Sequence, residues 1–297
     1  MLDNEDSKPN HWPTAALLMP TTMWFVFMLI LPLIVIFIFS FGERAAVGGY
    51  AASFTFEQYA NLPARLKAFQ NTMIFAPIGT LLSLFMAYPL AYYMAMRVDR
   101  RYKFILLVLV IVPFWTSLLI RTYAWIFILG GRGIPLMLEW IGIEGVRLVN
   151  TPGAVLIGIV YGYLPLMVFP IFVSLEKIDK NLLEASNDLG GTPFKTFMQI
   201  TLPLSMQITL PLSMLGVATG CMLVFILLMG EFLIPAFLGG GKVFFIGNAL
   251  VDLFLQSRNW PFGSAVSVTL VVIMLITVSL YMRLTMRTKT GRDESLM

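Results

Sequence analysis

The sequence predicts an all-α polytopic membrane protein with about six transmembrane helices, and three observations carry that prediction. Of 297 residues, 58% are hydrophobic and 12% are charged, about half the charged fraction of a soluble domain. Six apolar runs reach the roughly 20 residues a helix needs to cross a bilayer. Lysines and arginines divide unequally between alternate loops, as the positive-inside rule requires of a spanning chain.

The first run covers about 15–40. It is too long for the hydrophobic segment of a signal peptide, and the residues before it carry Asp3, Glu5 and Asp6 against Lys8 alone, so a retained helix is expected. The other five runs are about 69–96, 104–130, 151–174, 207–238 and 263–284. Prolines fall inside or beside several of them (Pro20, Pro32, Pro77, Pro89, Pro113, Pro165, Pro170, Pro235) and predict kinks, which membrane helices tolerate when neighbours satisfy the freed carbonyls. Gly158/Gly162 and Gly216/Gly220 have the GxxxG spacing that lets helices approach closely. In domain terms the chain reads as a tail over 1–14, a first helix and external loop over 15–68, a core over 69–284 containing a long polar loop at 175–206, and a tail over 285–297.

With both termini on one side, that side holds twelve basic residues, among them Arg97, Arg100, Arg101 and Lys103, while the other side holds seven, and Arg121 lies within a span. The bias places the termini and the 175–206 loop in the cytoplasm. It also accounts for the net charge of +4 without nucleic acid. Trp12, Trp140 and Trp260 fall near expected interfaces, where aromatic belts form. One cysteine, Cys221, and one histidine, His11, exclude an intrachain disulfide and leave no basis for a His/Cys metal site or a Cys–His catalytic pair.

The 175–206 loop is organised as few membrane loops are. Leu182, Leu183, Ser186 and Leu189 form a stripe at helical spacing, and Gly190-Gly191 ends that helix. Thr192 and Pro193 then start a second one as N-cap and first residue, with Phe194, Phe197, Met198 and Ile200 as its apolar positions. The octapeptide QITLPLSM occurs twice in tandem, at 199–206 and 207–214. If helical, one copy adds roughly 12 Å and about 80° beyond whole turns, so the two copies cannot present the same face.

At these residues the chain resembles a known family. Glu184-Ala185-Ser186, three residues, Gly190, nine residues, Ile200-Thr201-Leu202-Pro203 is similar to the EAA motif of ABC importer permeases, departing only at Ser186 where the pattern has alanine. Pro113–Trp125, Gly230–Pro235 and Asn259–Phe262 look like strings of the spermidine/putrescine permeases within that family. The resemblance runs from about Phe69 to the C-terminus, and the second octapeptide departs from it. It implies type I importer architecture in a bacterial inner membrane. It also implies that Glu184, Ala185, Ser186, Gly190, Ile200, Leu202 and Pro203 couple the chain to an ABC ATPase dimer, with a second homologous permease and a periplasmic solute-binding protein as further partners.

The chain has no G-x-x-x-x-G-K-[ST] sequence; Gly239-Gly240-Gly241-Lys242 is followed by Val243 and lacks the spacing. Neither enzymatic activity nor a cofactor of its own is expected, and ATP and Mg would be used by the partner. For a polycation, Glu231 is the candidate intramembrane carboxylate, either meeting an ammonium group or pairing with Arg121. Trp115, Tyr123, Trp125 and Tyr161 are candidate cation–π surfaces, with packing as the alternative for each. Asp252 reads as a solvated acid of an external loop, with a place facing the solute-binding protein or the pore mouth as the alternative. Another small organic cation, an amino-acid-like solute or iron would suit the same machinery. An ion-coupled secondary transporter lacks the expected inverted repeat, and a membrane enzyme lacks a cluster of catalytic groups.

Overall fold

The computed structural model describes residues 12–177, 188 and 213–293. The chain divides into two compact units, one within Met1–Pro63 and Leu253–Thr269, the other within Ala64–Asp252 and Leu270–Met297.

In the first unit, helix α1 (Trp12–Phe39) is apolar all round, and the span it contains, Leu17–Phe39, buries none of its most apolar window. A helix with no polar face is one that hydrocarbon can solvate all round. After it, strands β1 (Glu43–Arg44) and β2 (Tyr50–Ala51) pair antiparallel. Gly48 and Gly49 make the turn at φ of 90° and 91°, which only glycine adopts without strain. The short helix α2 (Glu57–Ala60) folds back, with Gln58 Nε2 donating to Gly42 O at 3.2 Å and Tyr59 Oη donating to Ser40 Oγ at 2.8 Å. Phe41 packs against Phe54, Phe56 and Tyr59, and Arg44 Nη2 donates to Ser257 O at 2.7 Å.

The second unit is built on helix α7 (Pro152–Glu176), whose Thr151 hydroxyl caps its start by accepting from Ala154 N at 3.1 Å. Against α7 lie α3 (Leu66–Tyr92) and α8 (Ser213–Met229). Small residues permit the approach. A Cβ on Gly216 would lie 2.6 Å from Pro170 O, and one on Gly79 would lie 2.8 Å from Ile159 Cγ2. Val155, Ile159, Met167, Val168 and Ile171 of α7 are fully buried, as are Val224 and Leu228 of α8. Helix α3 runs through Pro77 and Pro89 and ends in a π-turn, Tyr93–Arg97.

Four described stretches are long and apolar enough to cross a membrane: Leu17–Phe39, Leu62–Arg97, Pro152–Glu176 and Trp260–Arg283. The third expected span, 104–130, is interrupted. Helix α4 (Arg100–Trp115) stops, Thr116 and Ser117 are extended, and α5 (Leu118–Leu129) begins a stretch turned by 91°. Pro113 removes a helical donor, and Thr116 closes on its carbonyl through both its N–H (3.3 Å) and its hydroxyl (2.6 Å). The fifth expected span, 207–238, is also interrupted: α8 ends at Met229, and helix α9 (Leu233–Leu238) follows the break at Gly230–Phe232. Helix α6 (Ile134–Trp140) follows α5, and helix α10 (Ile246–Val251) follows α9 and runs into a π-turn at Asp252–Gln256. The last helix, α11 (Trp260–Asp293), extends well past its expected end at 284.

Candidate functional site

The break at Gly230–Phe232 gathers several buried polar groups of the second unit. Glu231 is buried, 5% exposed, and both its oxygens are engaged within the fold. Oε1 accepts from Leu233 N at 2.8 Å and from Ile234 N at 3.2 Å. It thereby satisfies two orphan donors of α9 and sets a negative charge at the positive end of that helix. Oε2 accepts from the Tyr163 hydroxyl of α7. The backbone of the break is covered by α10: a Cβ on Gly247 would lie 2.5 Å from Glu231 O and 2.8 Å from Gly230 O. Asn248 Nδ2 donates to Phe232 O at 2.7 Å, while its Oδ1 accepts from Phe245 N at 3.1 Å. Helix α3 completes the enclosure, with Thr72 Oγ1 accepting from Ile246 N at 2.9 Å and Asn71 Nδ2 donating to Phe244 O at 3.0 Å.

Arg121 lies on α5 and is 9% exposed. Its Nη1 donates to Gly162 O at 3.5 Å, and its Cζ stands 5.5 Å from the centre of the Phe114 ring. The ion pairs found among the described residues do not include Arg121 with Glu231. The two charges hang instead on neighbouring residues of α7, Gly162 and Tyr163.

The aromatic candidates separate into two groups. Trp115, at the end of α4, is 81% exposed and borders a cleft of about 610 Å³ that also meets Pro165, Phe169 and Leu223. Tyr123 and Tyr161 are half-exposed. Tyr123 packs on Phe237 at 5.1 Å between ring centres, and Trp125 meets Tyr161 edge-on at 5.4 Å. Asp252 is not a free solvated acid: Arg65 Nη2 approaches its Oδ2 to 2.6 Å, and both side chains are less than a third exposed.

Of the 175–206 loop, Leu175–Lys177 and Asp188 are described; Glu184, Ala185, Ser186, Gly190, Ile200, Leu202 and Pro203 lie outside the described residues. The approach to the loop is described. Lys103, at the start of α4, turns inward with its side chain 7% exposed, donating to Ala95 O at 2.6 Å and reaching Glu176 Oε1 at 3.2 Å. Sequence reasoning placed Lys103 among the loop charges and passed over Tyr163, Asn248 and Thr72. These read as ordinary residues because their partners lie 68, 16 and 174 positions away. The rarity of a carboxylate in an apolar run and the family-like string Gly230–Pro235 pointed to the place.

No family model matches the chain. Individual relatives do. The spermidine/putrescine transport system permease protein PotB of Haemophilus influenzae is 40% identical over 265 residues, 88% of this chain and 90% of that protein. The protein of the same name from Escherichia coli K12 is 38% identical, covering 88% and 93%. The inner membrane ABC transporter permease protein YdcU of Escherichia coli K12 is 31% identical over 73% of this chain and 71% of its own length. Among solved structures, a bacterial ABC transporter involved in the import of the acidic polysaccharide alginate matches with a TM-score of 0.71 over 93% of this chain and 96% of its own, at 18% identity. A bacterial alginate ABC transporter in complex with an alginate pentasaccharide-bound periplasmic protein matches at 0.74 over 94% and 96%, also at 18% identity. These two establish the fold as that of an ABC importer permease, and the sequence relatives establish the lineage. The chain therefore belongs to the spermidine/putrescine-type family of ABC importer permeases, as a membrane-spanning transport subunit and not an enzyme.

Proposed function

We propose that this chain forms one half of the translocation path of an ATP-driven importer for the polyamines putrescine and spermidine. The observation that carries the reading is 38–40% identity, over about nine tenths of their length, to permeases named for those solutes. The chain sits in the bacterial inner membrane with both termini and the 175–206 loop in the cytoplasm, as the basic-residue bias favours. A second homologous permease completes the path, a periplasmic binding protein delivers the solute, and an ATPase pair supplies the energy with ATP and Mg. The Glu184–Pro203 segment seats in the ATPase, and Gly190 gives the tight turn that passes its movement to the fifth span.

A polyamine is a chain of methylenes punctuated by ammonium groups. Aromatic faces replace the water of such ammonium groups at low cost while accommodating the methylenes. Trp115, Tyr123 and Tyr161 offer accessible faces of this kind, and Trp125 supports Tyr161 from its edge. The test is uptake of labelled putrescine and spermidine by cells that lack their own polyamine uptake and express the whole complex, beside the same cells carrying Gly190→Leu. Uptake abolished by that substitution, with the protein still present in the membrane, supports the reading. Uptake independent of the ATPase, or accumulation of an unrelated solute in place of polyamines, overturns it.

A further inference from the structure

We infer that Glu231 and Arg121 are positioning residues rather than substrate ligands: through Tyr163 and Gly162 they fasten the breaks of two interrupted spans to one turn of α7. The inference rests on the transport reading above for its uptake arm and on geometry alone for its stability arm.

The two breaks, Thr116–Ser117 and Gly230–Phe232, converge on the same stretch of α7. A Cβ on Gly162 would lie 3.5 Å from Ile234 Cδ1 and 3.7 Å from Leu118 Cδ1, so this residue meets the first turn beyond each break. One helical turn earlier, Gly158 lies under Ile234 and Leu238. The segments beyond the breaks, α5 and α9, also pack on each other through Tyr123 and Phe237. Each break has a charged side chain that ties it to α7. Glu231 lies in the break itself, caps α9 and accepts from Tyr163. Arg121 follows its break by one turn; it stacks on Phe114 on the near side of the bend and donates to Gly162 on α7. It thus fixes both sides of the 91° bend.

The chemistry of the two groups agrees with this assignment. Glu231 Oε1 accepts from two amides and Oε2 from Tyr163, so at most one acceptor site is left, on a residue that is only 5% exposed and closed to an incoming ammonium. Arg121 would repel a polycation, and its Nε has no hydrogen-bond partner among the described residues. A buried cation so thinly bonded is costly alone, and the carboxylate of Glu231, bonded to the next residue of α7, offsets part of that cost. Arg121 and Glu231 are therefore a charge-balanced set joined through adjacent residues of α7, and removing one should harm the fold more than removing both.

The experiment compares Tyr163→Phe, Glu231→Gln, Arg121→Met and the Arg121→Met/Glu231→Gln double variant in the purified complex and in uptake. The inference expects each single variant to lower the maximal uptake rate, on the order of tenfold or more, as misplacement of a path does. It expects the ratio of spermidine to putrescine KM to stay unchanged. Tyr163→Phe should reproduce the Glu231→Gln phenotype, and the double variant should melt closer to wild type than the summed single effects predict. A rise in KM for Glu231→Gln that is larger for spermidine, with Tyr163→Phe silent, would make Glu231 a ligand and overturn the inference. So would strictly additive melting shifts. A wild-type complex that takes up no polyamine would defeat the substrate reading while the melting arm still decides this one.

Discussion

Replacing Lys103 with methionine should destabilise the protein by about 2 kcal/mol, whereas replacing its ionic partner Glu176 with glutamine should cost under about 1 kcal/mol. The asymmetry comes from burial. The π-turn at Tyr93–Arg97 ends at an extended Val98, so Ala95 O is among the terminal carbonyls that no residue of its own helix can satisfy. Ala95 is 1% exposed. Lys103 Nζ donates to that oxygen at 2.6 Å, and methionine would keep the packing of the stem while leaving a buried acceptor unpaired, a loss of roughly 1–3 kcal/mol. Glu176 is 46% exposed in its side chain and would keep its water, so the 3.2 Å pair contributes only what a half-solvated ion pair does, about 0–1 kcal/mol. The assay is a thermal melt of the purified complex in detergent at low and moderate salt. Lys103→Met should give the larger shift, nearly independent of salt, and Glu176→Gln the smaller, shrinking as salt rises. Equal shifts, or a Lys103→Met variant as stable as wild type, would refute the reasoning.

Further substitutions follow from the packing and from the Arg65–Asp252 ion pair. Gly216→Ala puts its Cβ 2.6 Å from the Pro170 backbone oxygen and should cost about 1–3 kcal/mol by overpacking, whereas Gly162→Ala makes only ordinary contacts at 3.5 Å and should be neutral or slightly stabilising; comparing the two melts checks the order. Asp252→Asn weakens the 2.6 Å bond from Arg65 and should lower stability by about 1 kcal/mol, with partial recovery in the Arg65→Asp/Asp252→Arg exchange.

Composition and apolar run length were enough to read the all-α membrane class, because lipid imposes both on any helix that crosses it. They could not show where a run would be interrupted. Residues 104–130 are apolar on both sides of Thr116–Ser117, and the bend depends on a hydroxyl closing on a proline carbonyl three residues back. At the fifth span, Glu231 stood out in sequence as an isolated carboxylate, but its meaning depended on Tyr163, 68 residues away, and on two amides of a helix only six residues long. Asp252 looked solvated because its partner Arg65 is 187 positions distant. The two GxxxG spacings in sequence mark real contacts of unequal tightness: Gly158 and Gly216 stand closer to their neighbours than Gly162 does. The EAA-like residues of the loop, legible by their spacing, fall outside the described residues.

The central claim, that this chain carries polyamines with energy taken from a partner's ATP hydrolysis, is tested most directly in proteoliposomes. The purified four-component complex, with spermidine-loaded binding protein on the receiving side, should accumulate labelled spermidine only when ATP and Mg are present on the loop side. The accumulation should survive collapse of the proton and sodium gradients. Accumulation that needs an ion gradient and proceeds without ATP would contradict the account.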